Sequence, residues 1–444
     1  MPIFLGSFLI PKVSIIENKV NLNNSTLKIK VPAFLELIEE KEKIFISQKK
    51  DFLKVDLDRM EITLHKGGEV TKEVPILRKG DPQRWGGSAV GLYKIMSGNE
   101  ISYSTISKVY MPYSLRYYGK YYIHGEPYYP GGTKLESSVS GGCLRLKDED
   151  AESIYELTEI NMPVLVMDKE KDYYEYPKKN LSDFPQISAK SYLVADLDSG
   201  FIFSQKSSQE KLPVASLTKL MTAVVVSENI DLRKSISITE PMLEGYGSTD
   251  GLEKGKYFST VELFYPLLIE SSNDAAEALS YFLGRDNTIR LMNEKAKSIF
   301  MEQTKFVDPS GYDPENISTA QDLFYLARYI LNNRPPLLEI TKGKEVLSFG
   351  GVSFDIEKLW NKNVFIEDPT LIGGKTGFIK KSKNTAIFIF RLITKDDLER
   401  NIAIILLGSD NNKTDTQKVY MWLLKNHFKM SKELLEGNET VEEN

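Results

Sequence analysis

Three short motifs, strung in order along the second half of the chain, limit its folding more than any other feature. Ser216-Leu217-Thr218-Lys219 lies within Pro213-Val214-Ala215-Ser216-Leu217-Thr218-Lys219-Leu220-Met221. Ser271-Ser272-Asn273 sits between an apolar run, 263–269, and a helix predicted to begin at Asp274. Lys375-Thr376-Gly377 follows Gly373-Gly374 and leads into two apolar stretches, 385–392 and 402–408, that read as closing strands. To serve one substrate, a helix start, a loop entering a second helix and a strand must converge.

The residue types explain why they would. Ser216 and Lys219 are spaced to share one face of a helix. A serine hydroxyl is a weak nucleophile until a base takes its proton. A lysine is that base only when burial or a neighbouring cation lowers its pKa. Leu217, Leu220, Met221, Ala223 and Val224 predict the burial. Alone, Ser-x-x-Lys is common, and a helix cap followed by a surface lysine is the default reading. The two further motifs displace that default, because they supply what an acyl-transfer site still lacks. Ser271 can relay a proton to a leaving amine, and Asn273 can hold a peptide amide. Lys375 and Thr376 can receive a terminal carboxylate. Gly377 lets a strand approach the substrate backbone. The N–H of Ser216, with one just after Gly377, predicts an oxyanion hole.

A second site is predicted in the first half. The single cysteine, Cys143, lies in Ser140-Gly141-Gly142-Cys143-Leu144-Arg145-Leu146, downstream of Ile123-His124-Gly125. A thiolate is a strong nucleophile that a nearby imidazole supports. The glycines permit close backbone approach, and Arg145 is placed to bind a carboxylate or brace the loop. His65 and His427 receive no chemical role.

With 444 residues, two or three domains are expected. Residues 1–45 are expected as an N-terminal extension, 46–168 as a first catalytic domain, 169–188 as a linker, 189–430 as a second domain and 431–444 as an acidic tail. Within the first domain, 52–64 reads as two alternating strands turning near Asp58, and 148–159 as a helix. Strands 192–196 and 201–204 form a hairpin around Asp198-Ser199-Gly200. A helical block spans 216–331, and 414–427 is an amphipathic helix. A net charge of −5 argues against a nucleic-acid surface. One cysteine excludes an intrachain disulfide. No apolar run is long enough for a transmembrane helix, and Met1 to Ile10 makes a poor signal peptide. No metal or organic cofactor is implied.

The second half resembles the D-alanyl-D-alanine carboxypeptidases, the low-molecular-mass penicillin-binding proteins. The three motifs share their signature with class A β-lactamases, but no equivalent of the deacylating glutamate stands out. Phe306-Val307-Asp308-Pro309-Ser310-Gly311-Tyr312 and Ser271-Ser272-Asn273-Asp274-Ala275-Ala276 extend the likeness. The Cys143 region resembles the L,D-transpeptidase (YkuD-type) catalytic domain, whose pattern is His-Gly, a variable loop, then Ser-x-Gly-Cys-x-Arg. Gly141 stands where members often carry a basic residue or histidine. Gly87-Ser88-Ala89-Val90-Gly91 replaces an upstream Thr-Pro-x-Gly element.

These resemblances imply a multidomain fold: an N-terminal mostly-β L,D-transpeptidase-like domain and a C-terminal α/β (α+β) serine β-lactamase/penicillin-binding-protein-like domain. They imply Ser216, Lys219, Ser271, Asn273, Cys143 and His124 as catalytic, and Lys375, Thr376, Gly377, Arg145 and Ser140 as substrate-binding. The expected function is bifunctional peptidoglycan remodelling outside the cytoplasm. Stem peptides would be the substrates and β-lactams covalent inhibitors. A D,D-endopeptidase and a wall-binding protein with an inactive site are the alternatives.

Overall fold

The computed structural model describes residues 30–32, 34–168, 172, 174–177, 182–243, 252–346, 352–353 and 355–430. The Met1 to Ile10 stretch and the acidic tail lie outside the described residues.

The first unit opens with a helix, α1 (Phe34–Ser47), that crosses the boundary expected at residue 46. Phe34 and Ile38, one turn apart, are buried. Its strands are β1 (Phe52–Asp56), β2 (Glu61–Lys66), β3 (Glu69–Pro75), β4 (Gly91–Lys94), β5 (Ser97–Ser104), β6 (Val109–Tyr118), β7 (Tyr121–His124), β8 (Leu144–Arg145) and β9 (Pro163–Met167). A helix, α2 (Asp148–Leu157), precedes the last strand. The strands form two sheets, β3-β2-β1-β9-β4 and β5-β6-β7-β8. The short parallel pairing of β7 with β8 sets Ile123 opposite Leu144 and His124 opposite Arg145. That pairing brings the histidine and cysteine motifs side by side.

The second unit is built on a five-stranded sheet. Its strands are β10 (Ser191–Asp196), β11 (Ile202–Lys206), β12 (Leu371–Ile379), β13 (Lys383–Ile393) and β14 (Glu399–Ser409), in the order β11-β10-β14-β13-β12. Alternate residues of a strand face opposite sides, and here both sides are covered. Leu193, Ile387, Ile389 and Ile405 join the larger core. Val194, Phe388, Phe390 and Ile404 face the other way, against α7 (Asn412–Asn426). The larger core holds α3 (Thr218–Asn229), α4 (Asn273–Tyr281), α5 (Arg285–Ser298) and α6 (Ala320–Asn333). Short strand pairs, Leu212–Pro213 with Ile317–Ser318 and Ser235–Ser237 with Tyr257–Ser259, interrupt the block expected to be helical.

The described part of the expected linker packs as structure. Tyr176 is buried and donates to Asp196 at 3.0 Å, and Phe184 stacks on Tyr192.

The larger core runs without a break from the first unit into the second. Phe34 stacks near Tyr325 and Trp85 near Phe264. The Gly87–Gly91 stretch is a docking element. A Cβ at Gly87 would lie 2.7 Å from the Asn333 carbonyl oxygen, and one at Gly91 2.4 Å from that of Ser298. Between the units lies a buried charge cluster. Glu228, near the end of α3, contacts Lys295 Nζ at 3.0 Å and Arg334 Nη2 at 2.7 Å. Arg334 also reaches the Gly87 carbonyl at 2.7 Å and the Tyr121 hydroxyl at 2.5 Å. Lys295 donates to Tyr93 at 2.7 Å.

Candidate active sites

Ser216 occupies a tight turn, Ala215–Leu217, that runs directly into α3. Ala215 has a φ of 49°, left-handed backbone that an alanine adopts at a cost. Lys219 points back along the helix and is fully buried. Its Nζ donates to Ser216 Oγ at 2.9 Å, Asn273 Oδ1 at 2.7 Å and the Ser310 carbonyl at 2.7 Å. Three acceptors match the three donors of an ammonium. Burial lowers the Lys219 pKa to about 7, against the raising effect of Asp308 and Glu277. A substantial neutral fraction at neutral pH is what a base toward Ser216 requires.

Ser271 ends the helical turn Pro266–Glu270 in a left-handed conformation, φ 66°. Its Oγ accepts from Lys375 Nζ at 2.8 Å. Lys375 lies on β12, buried. Burial, reinforced by the charges of Lys219 and Lys362, pushes its pKa well below the ordinary lysine value. An arriving carboxylate would offset that penalty, so the site favours an anion there. Thr376 Oγ1 lies 3.4 Å from the Lys362 carbonyl. A Cβ on Gly377 would sit 2.7 Å from the Ser216 nitrogen. The glycine therefore lets β12 press against the Ser216 backbone. The three motifs meet at one point.

Sequence reasoning marked the Phe306 to Tyr312 loop as part of the family likeness but gave it no role in this site. Asp308 Oδ1 accepts from the Ser310 and Gly311 nitrogens, both at 2.6 Å, and Oδ2 from Asp313 N at 2.8 Å. This fan of bonds holds the Ser310 carbonyl on Lys219. The Asp-Pro-Ser-Gly turn composition was the available signal.

In the first unit, His124, Cys143, Arg145 and Ser140 line a single cavity of about 380 Å³. His124 Nδ1 lies 2.6 Å from the Gly125 carbonyl. A carbonyl only accepts, so Nδ1 carries the proton and Nε2 keeps the basic lone pair. Burial lowers the His124 pKa to about 4 and raises that of the Cys143 thiol. Both groups are thus neutral near pH 7. The Cys143 thiol points to the Lys120 carbonyl at 3.8 Å. Ser140 Oγ donates to the Cys143 carbonyl at 2.5 Å and accepts from Gly142 N at 3.0 Å, which ties the loop. A Cβ on Gly142 would meet the Tyr121 ring at 2.0 Å. Lys120 had no motif to mark it. It lines the cavity and reaches across the domain boundary to the Ser227 and Ile230 carbonyls at 2.7 and 3.1 Å.

Fold and motifs together define a penicillin-binding-protein-like unit behind a mostly-β thiol domain. Residues 178–410 match the D-alanyl-D-alanine carboxypeptidase (peptidase S11) family, and residues 50–166 match the YkuD L,D-transpeptidase catalytic domain. The chain belongs to the D-alanyl-D-alanine carboxypeptidase family and carries a YkuD domain N-terminal to it. It is 35% identical over 211 residues to a D-alanyl-D-alanine endopeptidase of Haemophilus influenzae, covering 45% of this chain and 70% of the relative. It is 30% identical over 210 residues to the D-alanyl-D-alanine carboxypeptidase DacB2 of Mycobacterium tuberculosis, covering 46% and 70%. A solved D-alanyl-D-alanine carboxypeptidase from Mycobacterium tuberculosis H37Rv aligns with a TM-score of 0.49 at 26% identity, over 55% of this chain and 94% of that one.

Proposed function

We propose that the chain is a bifunctional peptidoglycan-remodelling enzyme. At the serine site, Lys219 takes the Ser216 proton and Ser216 Oγ attacks the carbonyl of a D-alanyl-D-alanine bond. The Ser216 N–H and the N–H after Gly377 receive the oxyanion. Ser271 passes a proton to the leaving amine, while Lys375 and Thr376 hold the terminal carboxylate. Water then releases the acyl group. The observation that carries this reading is the buried Lys219 amine, 2.9 Å from Ser216 Oγ with a pKa of about 7.

At the cysteine site, Cys143 takes the acyl group of a tetrapeptide stem as a thioester. His124 accepts the thiol proton as the sulfur attacks, and Arg145 faces a stem carboxylate. The shortened stem left by a carboxypeptidase is the donor such a site uses, so the halves are chemically consecutive. The substrates place the work outside the cytoplasmic membrane, and β-lactams are expected to acylate Ser216. Among the described residues, no helix is long and apolar enough to cross a membrane.

The 35% identical relative named an endopeptidase favours a second reading, in which the serine site cuts cross-links. Purified protein incubated with pentapeptide and with cross-linked muropeptides, followed by mass spectrometry, separates the two. Tetrapeptide formation persisting in Ser216→Ala overturns the serine assignment. Cross-linked product persisting in Cys143→Ala overturns the other.

A further inference from the structure

The Cys143 cavity does not belong to the first unit alone. Asp231, Leu232 and Arg233, which follow α3 in the serine unit, form part of its wall. The other ionisable side chains on the wall are basic or neutral near pH 7: Arg84, Lys120, Arg145, Arg233, His124 and the thiol itself. Among the described residues, Asp231 is the only carboxylate lining the cavity. It is held by Arg233, with Nε 3.0 Å from Oδ1 and Nη2 2.8 Å from Oδ2. Arg233 Nη2 in turn donates to the Ile106 carbonyl of the first unit at 3.1 Å. The acidic group is therefore fixed across the domain boundary.

Resting on the transpeptidase reading of Cys143, we propose that Asp231 is the acceptor-recognition residue of the cysteine site, contributed by the serine domain. The acceptor it selects is a stem carrying a primary amine, which arrives as an ammonium. The cationic walls suit the carboxylates of a donor stem and would repel an ammonium. Asp231, which shares its charge with Arg233, is the acidic group on that wall toward which an ammonium is drawn. The ammonium loses one proton to solvent, and the amine lone pair attacks the thioester carbonyl. The new C–N bond forms as the C–S bond breaks. The second nitrogen proton passes through His124 Nε2 to the departing thiolate, restoring the thiol.

The test uses the full chain, a tetrapeptide donor and two competing nucleophiles: a stem peptide with a free amine, and hydroxylamine, which is largely uncharged at neutral pH. The ratio of cross-linked product to hydroxamate is read by mass spectrometry. In Asp231→Asn it is expected to fall about tenfold, the scale of one lost charge contact, and Asp231→Glu is expected to recover it. In the wild type the same ratio is expected to fall as salt is raised, since the attraction is screened. That measurement keeps the idea testable if the asparagine variant does not fold. Equal loss of both products in Asp231→Asn, or a ratio unmoved by substitution and by salt, overturns the assignment. Absence of any wild-type thioester on Cys143 overturns the transpeptidase reading itself and the assignment with it; a normal thioester with an unmoved ratio overturns the assignment alone.

Discussion

At the scale of single residues, both proposed nucleophiles depend on what burial does to their neighbours. Lys219, with a pKa lowered to about 7, must be neutral to act as a base. The serine-site kcat/KM is therefore expected to rise about tenfold per pH unit below 7 and to level off above it. A stopped assay of D-alanine release between pH 5 and 9 checks this, and a flat profile argues against Lys219 as the base. The same burial has a stability consequence. A lysine whose folded pKa lies below its unfolded value leaves the unfolded state holding more protons between those values. Stability then rises with pH across that window. Cys143 behaves differently, because its thiol is pushed up and no imidazolium forms beside it. Alkylation of Cys143 by iodoacetamide is expected to be slow at pH 7 and to accelerate about tenfold per unit toward pH 9. A fast rate at pH 6, read by intact mass, would mean the thiolate is already present.

At the scale of elements, much was legible. The hairpin around Asp198-Ser199-Gly200, the α2 helix and the closing strands β13 and β14 fall close to where period and turn chemistry put them. Motif order revealed the meeting of Ser216, Ser271 and Lys375, because each motif carries its own chemistry. The Asp308 fan and the Lys120 bridge were not legible as site features. Both act through backbone carbonyls, and a carbonyl leaves no residue-type signature. The strand pairs within 216–331 run to only two or three residues, too short for an alternating period to register as breaks. The glycines are different, since their role is set by contact. At Gly142, φ is +115° and a Cβ would lie 2.0 Å from the Tyr121 ring. Gly142→Ala is expected to shift the cysteine loop and cut thioester formation about 100-fold, the usual penalty for an ångström of misplacement. D-alanine release from the serine site serves as the fold control. Unaltered thioester formation would mean the loop tolerates the shift.

At the scale of the whole molecule, the two units are joined by a continuous core and a buried charge cluster. Burial alone would raise the Glu228 carboxyl; Lys295 and Arg334 outweigh it and hold the pKa below the ordinary range. A carboxylate with a lowered folded pKa stabilises above its unfolded pKa, and that contribution is lost as pH falls through the folded value. Glu228→Ala leaves two buried cations without their shared partner. It is expected to cost about 3–5 kcal/mol and to move the urea transitions of both units together. Separate transitions in the wild type, followed by tryptophan fluorescence and Cys143 accessibility, would show that the units unfold independently. The segment Gly87–Gly91, which departs from the L,D-transpeptidase pattern, is the surface that meets the second unit.

One helix carries this union further. α3, 12 residues long, starts beside Ser216 and ends just before Asp231, so it spans about 18 Å. An extended stem of five residues reaches at most about 18 Å, no more than the rod alone. On the proposed function, a trimmed stem is therefore expected to let go of the serine site before it reaches the cysteine site. Isotope-labelled tetrapeptide added during turnover of unlabelled pentapeptide should enter the cross-linked product in proportion to its share of the free pool; its exclusion would mean a sheltered transfer. On the proposed function the helix is a spacer, setting two work stations at fixed pitch along a net of strands so that each could serve a different stem.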